Sequence, residues 1–206
     1  MIFGSHQSTI ATSQEEVDAL VLSAAPRQGQ WSEEDYLWLS NHASVLIEFT
    51  DGYIEVLPMP TDRHQSLLLL LYRLFFAAVE LHGGKVLIAP MRLRIRPGKY
   101  REPDLLLVRS AHDVRRQDQF WTGADLVLEV VSHDTPERDL VEKCGDYAEG
   151  GIPEYWIVNS LDETITVLRL SDDAYVEHGT FGRGTQATSA LLEGFAVSVD
   201  AVFDAE

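Results

Sequence analysis

Pro103-Asp-Leu-Leu-Leu-Val108 and Leu126-Val-Leu-Glu-Val-Val131 are short apolar runs that each carry one carboxylate. Their length and composition are typical of central strands that other elements cover on both faces. An ionised carboxylate in such a strand is costly to desolvate unless a metal ion, a cation or several hydrogen-bond donors compensate it. We therefore predict that Asp104 and Glu129 share an oxygen-rich site, which suits Mg²⁺ or Mn²⁺.

Both carboxylates also have ordinary structural interpretations. Glu129 could point outward at a strand end or pair with an arginine, and Asp104 could cap the start of its strand. Taken alone, Glu129 fits the ordinary interpretation better. Two such residues on two central strands nevertheless favour a shared site.

A helix predicted over Glu137–Glu149 supplies a third charge. Pro136 suits the first helical position, and the Gly150-Gly151 pair ends the helix. The face toward the sheet is predicted to consist of Leu140, Cys144 and Tyr147. Lys143 lies at the border of this face, so its ammonium could reach inward toward the carboxylates. The alternative is a solvated lysine paired with Asp139, four residues earlier.

The remaining segments predict an α/β (α+β) domain with a mixed sheet. The sequence begins with a polar leader, residues 1–30, with a short helix at 13–23, and a single domain follows over residues 31–206. Predicted in order are a capped helix Glu33–Ser40, a hairpin Val45–Phe49 and Tyr53–Leu57, and a long helix from Thr61 or Asp62 to His82. The predicted strands are Lys85–Arg96, Glu102–Val108, Asp125–Val131 and Glu154–Asn159, followed by an antiparallel extension of Thr164–Leu170, Ala174–Thr180, Thr185–Ala190 and Ala196–Val199.

Composition bounds the class of protein. The chain has 206 residues, a single cysteine and a formal net charge of −17. One cysteine cannot form an intramolecular disulfide, and no apolar run approaches the roughly 20 residues of a membrane span, so we expect a cytoplasmic protein without a membrane partner. The negative charge argues against a polyanionic partner, but residues 85–101 contain six basic residues and no acid. In that stripe, Arg92, Arg94 and Arg96 either contact phosphates or keep a strand soluble.

A family resemblance covers about residues 32–200. It is carried by Glu102-Pro103-Asp104, Asp125-Leu-Val-Leu-Glu129-Val-Val-Ser132, Arg138-Asp139, Lys143, Tyr147 and Gly151-Ile-Pro-Glu-Tyr-Trp156. These residues resemble the Uma-two-type endonuclease family (domain of unknown function 820) of the PD-(D/E)XK, restriction-endonuclease-like superfamily. The resemblance implies an αβββαβ core, beside the N-terminal β-hairpin and the C-terminal antiparallel extension predicted from the residues. It also implies metal-dependent cleavage of phosphodiester bonds, with DNA as the expected substrate.

The resemblance also assigns roles. Asp104 matches the motif aspartate, Glu129 the motif acid, and the carbonyl of Val130 the usual backbone metal ligand. The superfamily pattern places a lysine where this chain has Val131, so its role is carried to Lys143. By the same resemblance His64 completes the metal site or contacts the leaving group, although a histidine near a helix start is more often an ordinary surface residue.

Weaker candidates and rival functions accompany this hypothesis. Glu48 and Glu55 in the hairpin are candidates of the same kind as His64, and Ser132 and Asp139 could orient Lys143. A homodimer is expected by analogy, since cutting both strands of a duplex favours two sites related by a two-fold axis. The alternatives are a binding or regulatory module that has lost efficient catalysis, and a metal-dependent hydrolase of a small phosphate ester.

Overall fold

A six-stranded mixed sheet and a four-stranded antiparallel sheet form most of the structure, a computed structural model that describes Ser13, residues 25–131 and residues 137–205. The helices in these ranges are α1 (Glu33–His42), α2 (Asp62–Glu80), α3 (Lys143–Glu149) and α4 (Val199–Phe203), with a π-helical turn at Arg138–Glu142. The strands are β1 (Ile47–Thr50), β2 (Tyr53–Val56), β3 (Lys85–Ile88), β4 (Leu93–Arg96), β5 (Lys99–Arg101), β6 (Leu105–Val108), β7 (Leu126–Val130), β8 (Glu154–Asn159), β9 (Thr164–Ser171), β10 (Ala174–Phe181), β11 (Gln186–Thr188) and β12 (Ala196–Ser198). The leader helix predicted at 13–23 lies, apart from Ser13, outside the described residues, as does Pro136.

The large sheet has the strand order β10-β9-β8-β7-β6-β3, in which β7 and β8 are parallel and the other neighbours are antiparallel. Reading along the chain, α2, β3, β6, β7, α3 and β8 form the predicted αβββαβ core. The prediction of a restriction-endonuclease-like mixed sheet is confirmed. Every residue of β6 and β7 is buried, as expected for central strands covered on both faces.

Alternation along β6 and β7 places the two motif carboxylates on the same face of the sheet. Leu105 pairs with Leu128 and Leu106 with Val127, in antiparallel register. Continuing that register by one residue brings Asp104 opposite Glu129. Because successive side chains in a strand point to opposite faces, Glu129 shares the face of Val127, which packs in the core cluster of α3.

The prediction of a single strand over Lys85–Arg96 is wrong. The segment forms two strands, because β3 belongs to the large sheet and β4 to the small one. Pro90 lies between them and lacks the N–H that a continuous ladder needs. Likewise, Pro103 separates β6 from β5, a strand the sequence did not indicate, and β6 begins at Leu105 rather than Glu102.

Local signals at the N-terminal elements are confirmed. Ser32 caps α1 in a reciprocal capping box with Asp35, and Thr61 caps α2. Asp51 and Gly52 both have positive φ, as the tight hairpin between β1 and β2 requires. No helix in the described part of the chain combines the length and apolar character needed to cross a bilayer.

The π-helical turn changes which residues face the sheet. The backbone N–H of Lys143 donates to the carbonyl of Arg138, five residues earlier, instead of the four of an α-helix. The predicted inward face is therefore wrong at Leu140, whose exposed fraction is 39%. Asp139 and Lys143 are each only 5% exposed. The wider turn thus buries the charged pair and leaves the leucine at the surface.

Candidate active site

Lys143 lies between two carboxylates in the interior. Its Nζ is 2.8 Å from Oε1 of Glu129 and 3.0 Å from Oδ1 of Asp139. The predicted alternative therefore exists in part, since the pair with Asp139 is formed, but it is buried and not solvated. Tyr147, one turn along α3, donates its hydroxyl hydrogen to the same Oε1 of Glu129. α3 thus supplies both groups that fix this carboxylate.

Asp104 is fixed from two sides at the head of β6. Its Oδ2 accepts the backbone N–H of Val130 at 2.8 Å and lies 3.1 Å from Nε2 of His64. His64 reaches this position from the first turn of α2, which follows the hairpin. The structure therefore brings together the four side chains proposed from the sequence, Asp104, Glu129, Lys143 and His64.

A second buried carboxylate network borders this cluster. Glu48, on β1, has no exposed surface and accepts hydrogen bonds from Arg138 and from the backbone N–H of Glu102. Arg101 lies 3.5 Å from the same carboxylate. Arg138 also contacts Glu55 on β2, so it links the π-helical turn to the hairpin. Of the two hairpin candidates, Glu48 is interior and Glu55 lies on the outer side of this link.

The pKa values follow from burial and these charges. Burial raises the pKa of Glu129 above its ordinary range; Lys143 opposes the rise, and Asp104 adds to it. For Lys143, burial alone would lower the pKa, but the surrounding carboxylates outweigh it and raise the pKa. Burial likewise disfavours the charged His64, yet its hydrogen bond to Asp104 and that residue's charge raise its pKa overall.

Glu102 is the least compensated acid of the region. Its side chain is buried, Oε2 has no hydrogen-bond partner in the described structure, and Arg92 is 3.8 Å from Oε1. Burial, together with the negative charge of Glu48, raises the pKa of Glu102 to about 7, with Arg92 opposing. A carboxyl group with this environment carries a proton over part of the neutral range.

Seven of the ionisable residues described above line one cleft with a volume of about 430 Å³. On its charged side lie Glu102, Asp104, Glu129, Arg138, Asp139 and Lys143, together with His64. Residues between the hairpin and α2, including Pro58 and Met59, also line the cleft. Two carboxylates, a buried ammonium and an imidazole beside an accessible cleft can hold a cation and position a water molecule next to it.

The family follows from a match of the chain to the family model described as "Uma2: Putative restriction endonuclease", over residues 33–200. The chain belongs to the Uma2 family. A solved structure with the same fold is "a putative nuclease belonging to DUF820" from Anabaena variabilis ATCC 29413. The two chains are 15% identical, the similarity covers 78% of this chain and 91% of that one, and the TM-score is 0.66. Among curated proteins none matches. The resemblance seen in the sequence is thus confirmed, and the fold is restriction-endonuclease-like.

The donor set of this Uma2 protein fits a small divalent cation. Both contacts of Asp104 use Oδ2 and both contacts of Glu129 use Oε1. Oδ1 of Asp104 and Oε2 of Glu129 accept no hydrogen bond from the described residues. No group of three or more His, Cys, Asp or Glu side chains in the described ranges is arranged to hold a metal ion, so protein carboxylates alone would supply at most two ligands. Mg²⁺ is commonly held in this way, by one or two carboxylates with water and substrate completing its shell.

The predicted phosphate contacts are not brought to this cleft. Arg92 bonds to Ser40, Asn41 and the carbonyl of Gln119. Arg94 stacks over the ring of Phe120 at 5.1 Å, and Arg96 pairs with Asp51 and Glu149, each at 2.7 Å. None of the three lines the cleft. Their partners lie in α1, in the loop at residues 119–120, in the β1–β2 turn and in α3, so the three arginines hold these elements together.

Sequence reasoning missed or undervalued four residues of this Uma2 site. Glu48 lies between Ile47 and Phe49, the same kind of apolar setting that indicated Glu129. That signal could have marked Glu48 as an equally strong candidate. Tyr147 was assigned only to the packing face, and Arg138 and Glu102 were given no role. The hydroxyl of Tyr147 and the guanidinium of Arg138 carried no spacing signal. Ser132, suggested as a partner for Lys143, lies outside the described residues.

Proposed function

We propose that the protein is a metal-dependent endonuclease that hydrolyses phosphodiester bonds in DNA. The observation that carries the proposal is the convergence of Asp104, Glu129 and Lys143 on one cleft, with Lys143 Nζ 2.8 Å from Glu129. Support also comes from membership of the Uma2 family and the nuclease fold. Localisation in the cytoplasm and a homodimer stay predictions; sedimentation would test the dimer.

Asp104 and Glu129 would hold Mg²⁺ or Mn²⁺ through their second oxygens, with the carbonyl of Val130 as the backbone ligand that the family pattern implies. The metal would polarise the scissile phosphate and lower the pKa of a water molecule. Lys143 would orient that water or stabilise charge developing on the phosphate. Its buried contacts with Glu129 and Asp139 fix the ammonium in place. His64, held at Asp104, would lie close enough to contact the leaving group.

The test compares the parent with Glu129→Gln and Lys143→Met in cleavage of DNA with Mg²⁺, with Mn²⁺ and with a chelator. We expect cleavage by the parent that requires the metal, and a loss of at least about 100-fold in each variant, the usual scale for a preorganised charged group. The control, Glu80→Gln, makes the same change on the exposed end of α2 and should cleave like the parent. Full cleavage by Glu129→Gln would contradict the site assignment.

A measurement without catalysis separates the metal site from the reaction. Mg²⁺ or Mn²⁺ should raise the melting temperature of the parent, because an ion that binds only the folded state stabilises it. Asp104→Asn should reduce that rise, while Glu80→Gln should keep it. A metal-induced shift that is identical in parent and Asp104→Asn would place the ion elsewhere.

The second candidate is a nuclease-fold module that binds without efficient catalysis. Two observations favour it: the net charge of −17, and the engagement of Lys143 by two carboxylates. Metal-independent DNA binding in a gel shift, together with no cleavage of any nucleic acid, would select this candidate.

A further inference from the structure

The cleft that holds the charged cluster is also lined by apolar residues, here called the apolar wall. Its members are Leu46, just before β1, Leu57, Pro58, Met59 and Pro60, between the hairpin and α2, Leu68 on α2, and Ile88 and Ala89 at the end of β3. Met59 is 73% exposed. Large apolar side chains left exposed along one wall of a cleft commonly mark a place where a ligand binds.

The charges that line the cleft nearly cancel. Its cations are Arg63, Arg138 and Lys143, and its acids are Glu102, Asp104, Glu129 and Asp139. Each cation already has partners. Arg63 bonds to the carbonyls of Phe203 and Ala205, and Arg138 pairs with Glu48 and Glu55.

This near balance of charge bears on whether the cleft suits paired or unpaired nucleic acid. Tight binding of duplex DNA depends mainly on lysines and arginines that neutralise many phosphates. The cleft offers no uncommitted row of such side chains within the described structure, and Arg92, Arg94 and Arg96 are held elsewhere. A substrate that gains its affinity from a flat apolar surface fits the cleft better than one that gains it from phosphates alone.

We propose that the apolar wall receives one unpaired nucleotide, so that the protein prefers DNA strands with unpaired bases over a fully paired duplex. The base lies against Met59 and its neighbours, and the adjoining phosphate lies at Asp104, Glu129 and Lys143. A volume of about 430 Å³ suits a single nucleotide. Bases within a duplex are stacked on their neighbours, so an apolar wall gains contact only with a base that has left the stack. This inference rests on the proposed function and names its substrate class.

The test measures binding by fluorescence anisotropy, with Ca²⁺ in place of Mg²⁺. The probes are a labelled oligothymidylate, the same strand paired with its complement, and that duplex carrying an unpaired nucleotide. We expect the two probes with unpaired bases to bind the parent at least tenfold more tightly than the paired duplex. Met59→Ala should weaken binding of the unpaired probes roughly fivefold, and Met59→Trp should strengthen it, since a base stacks better on an aromatic ring.

Val114→Ala and Val114→Trp are the matched controls. Val114 is 90% exposed and does not line the cleft, so both changes should leave all three affinities as in the parent. Thermal unfolding of each variant checks that it is folded. A folded state is expected because both positions are exposed. Two results would overturn the inference. One is that the paired duplex binds as tightly as the unpaired probes or more tightly, and the other is that substitutions of Met59 leave the affinity for unpaired DNA unchanged.

The two proposals can fail separately. Metal-dependent cleavage that disappears in Glu129→Gln, combined with a preference for paired duplex, keeps the nuclease and removes the unpaired nucleotide. Absence of both binding and cleavage for all probes overturns the nuclease and this inference with it.

Discussion

Replacing Glu102 by glutamine should change how the stability of the protein depends on pH. The pKa of Glu102 is raised from 4.5 to about 7 in the folded protein. Below pH 4.5 the carboxyl is protonated in both folded and unfolded states, so its effect on the free energy of unfolding is constant. Between pH 4.5 and 7 the unfolded state loses the proton first. Stability therefore falls as pH rises, by roughly 1.4 kcal/mol per pH unit and roughly 3 kcal/mol in all.

Glutamine cannot ionise, so Glu102→Gln removes this loss. The difference in the free energy of unfolding, variant minus parent, should rise by roughly 3 kcal/mol between pH 4.5 and pH 8. Urea unfolding at several pH values, in buffer that contains a chelator, measures this difference. Glu80→Gln is the control, because it makes the same change at an exposed position. A difference for Glu102→Gln that stays constant from pH 4.5 to pH 8 would refute the argument from burial and the unpartnered Oε2.

Three further changes test one contact of the site and two local features of the fold. Tyr147→Phe removes the hydroxyl that holds Glu129 and should lower the free energy of unfolding by about 1 to 3 kcal/mol. Tyr53→Phe, at an exposed position, is the control and should unfold like the parent. Equal urea midpoints for Tyr147→Phe and the parent would contradict this. Gly52→Ala should destabilise the hairpin, since its Cβ would lie 2.7 Å from the backbone of Gly29 at a positive φ, and an unchanged melting temperature would argue against that packing. Ser32→Ala should cost about 1 kcal/mol by removing the cap of α1; no change in urea unfolding would mean that the capping box adds nothing.

Local signals predicted much of the fold because their physics acts over a few residues. The cap at Ser32, the turn at Asp51-Gly52 and the apolar runs of β6 and β7 each depend on neighbours in the chain. Pro90 carried a signal of the same kind, and it divides the run that was read as one strand. The αβββαβ order came from these elements together with the family resemblance.

The candidate site was predictable only in part, because its geometry depends on contacts between distant segments. A carboxylate in an apolar strand pointed to Glu129, but the register that sets it opposite Asp104 appears only when the strands pair. The network of Glu48 and Arg138 joins residues 90 positions apart. The environment that raises the pKa of Glu102 is equally non-local, and no spacing rule reveals it.

The π-helical turn has a consequence for comparing proteins of this fold. One additional residue in a helical turn acts as an insertion. It changes the angular position of every later residue around the helix axis, and no loop becomes longer. Deleting one residue from 138–142 would restore the α-helical phase and should rotate Lys143 away from Glu129. An alignment of this protein with one that lacks the π-helical turn would therefore need a gap inside a helix. The counterpart of Lys143 would then have to be found from the position of its Nζ in space.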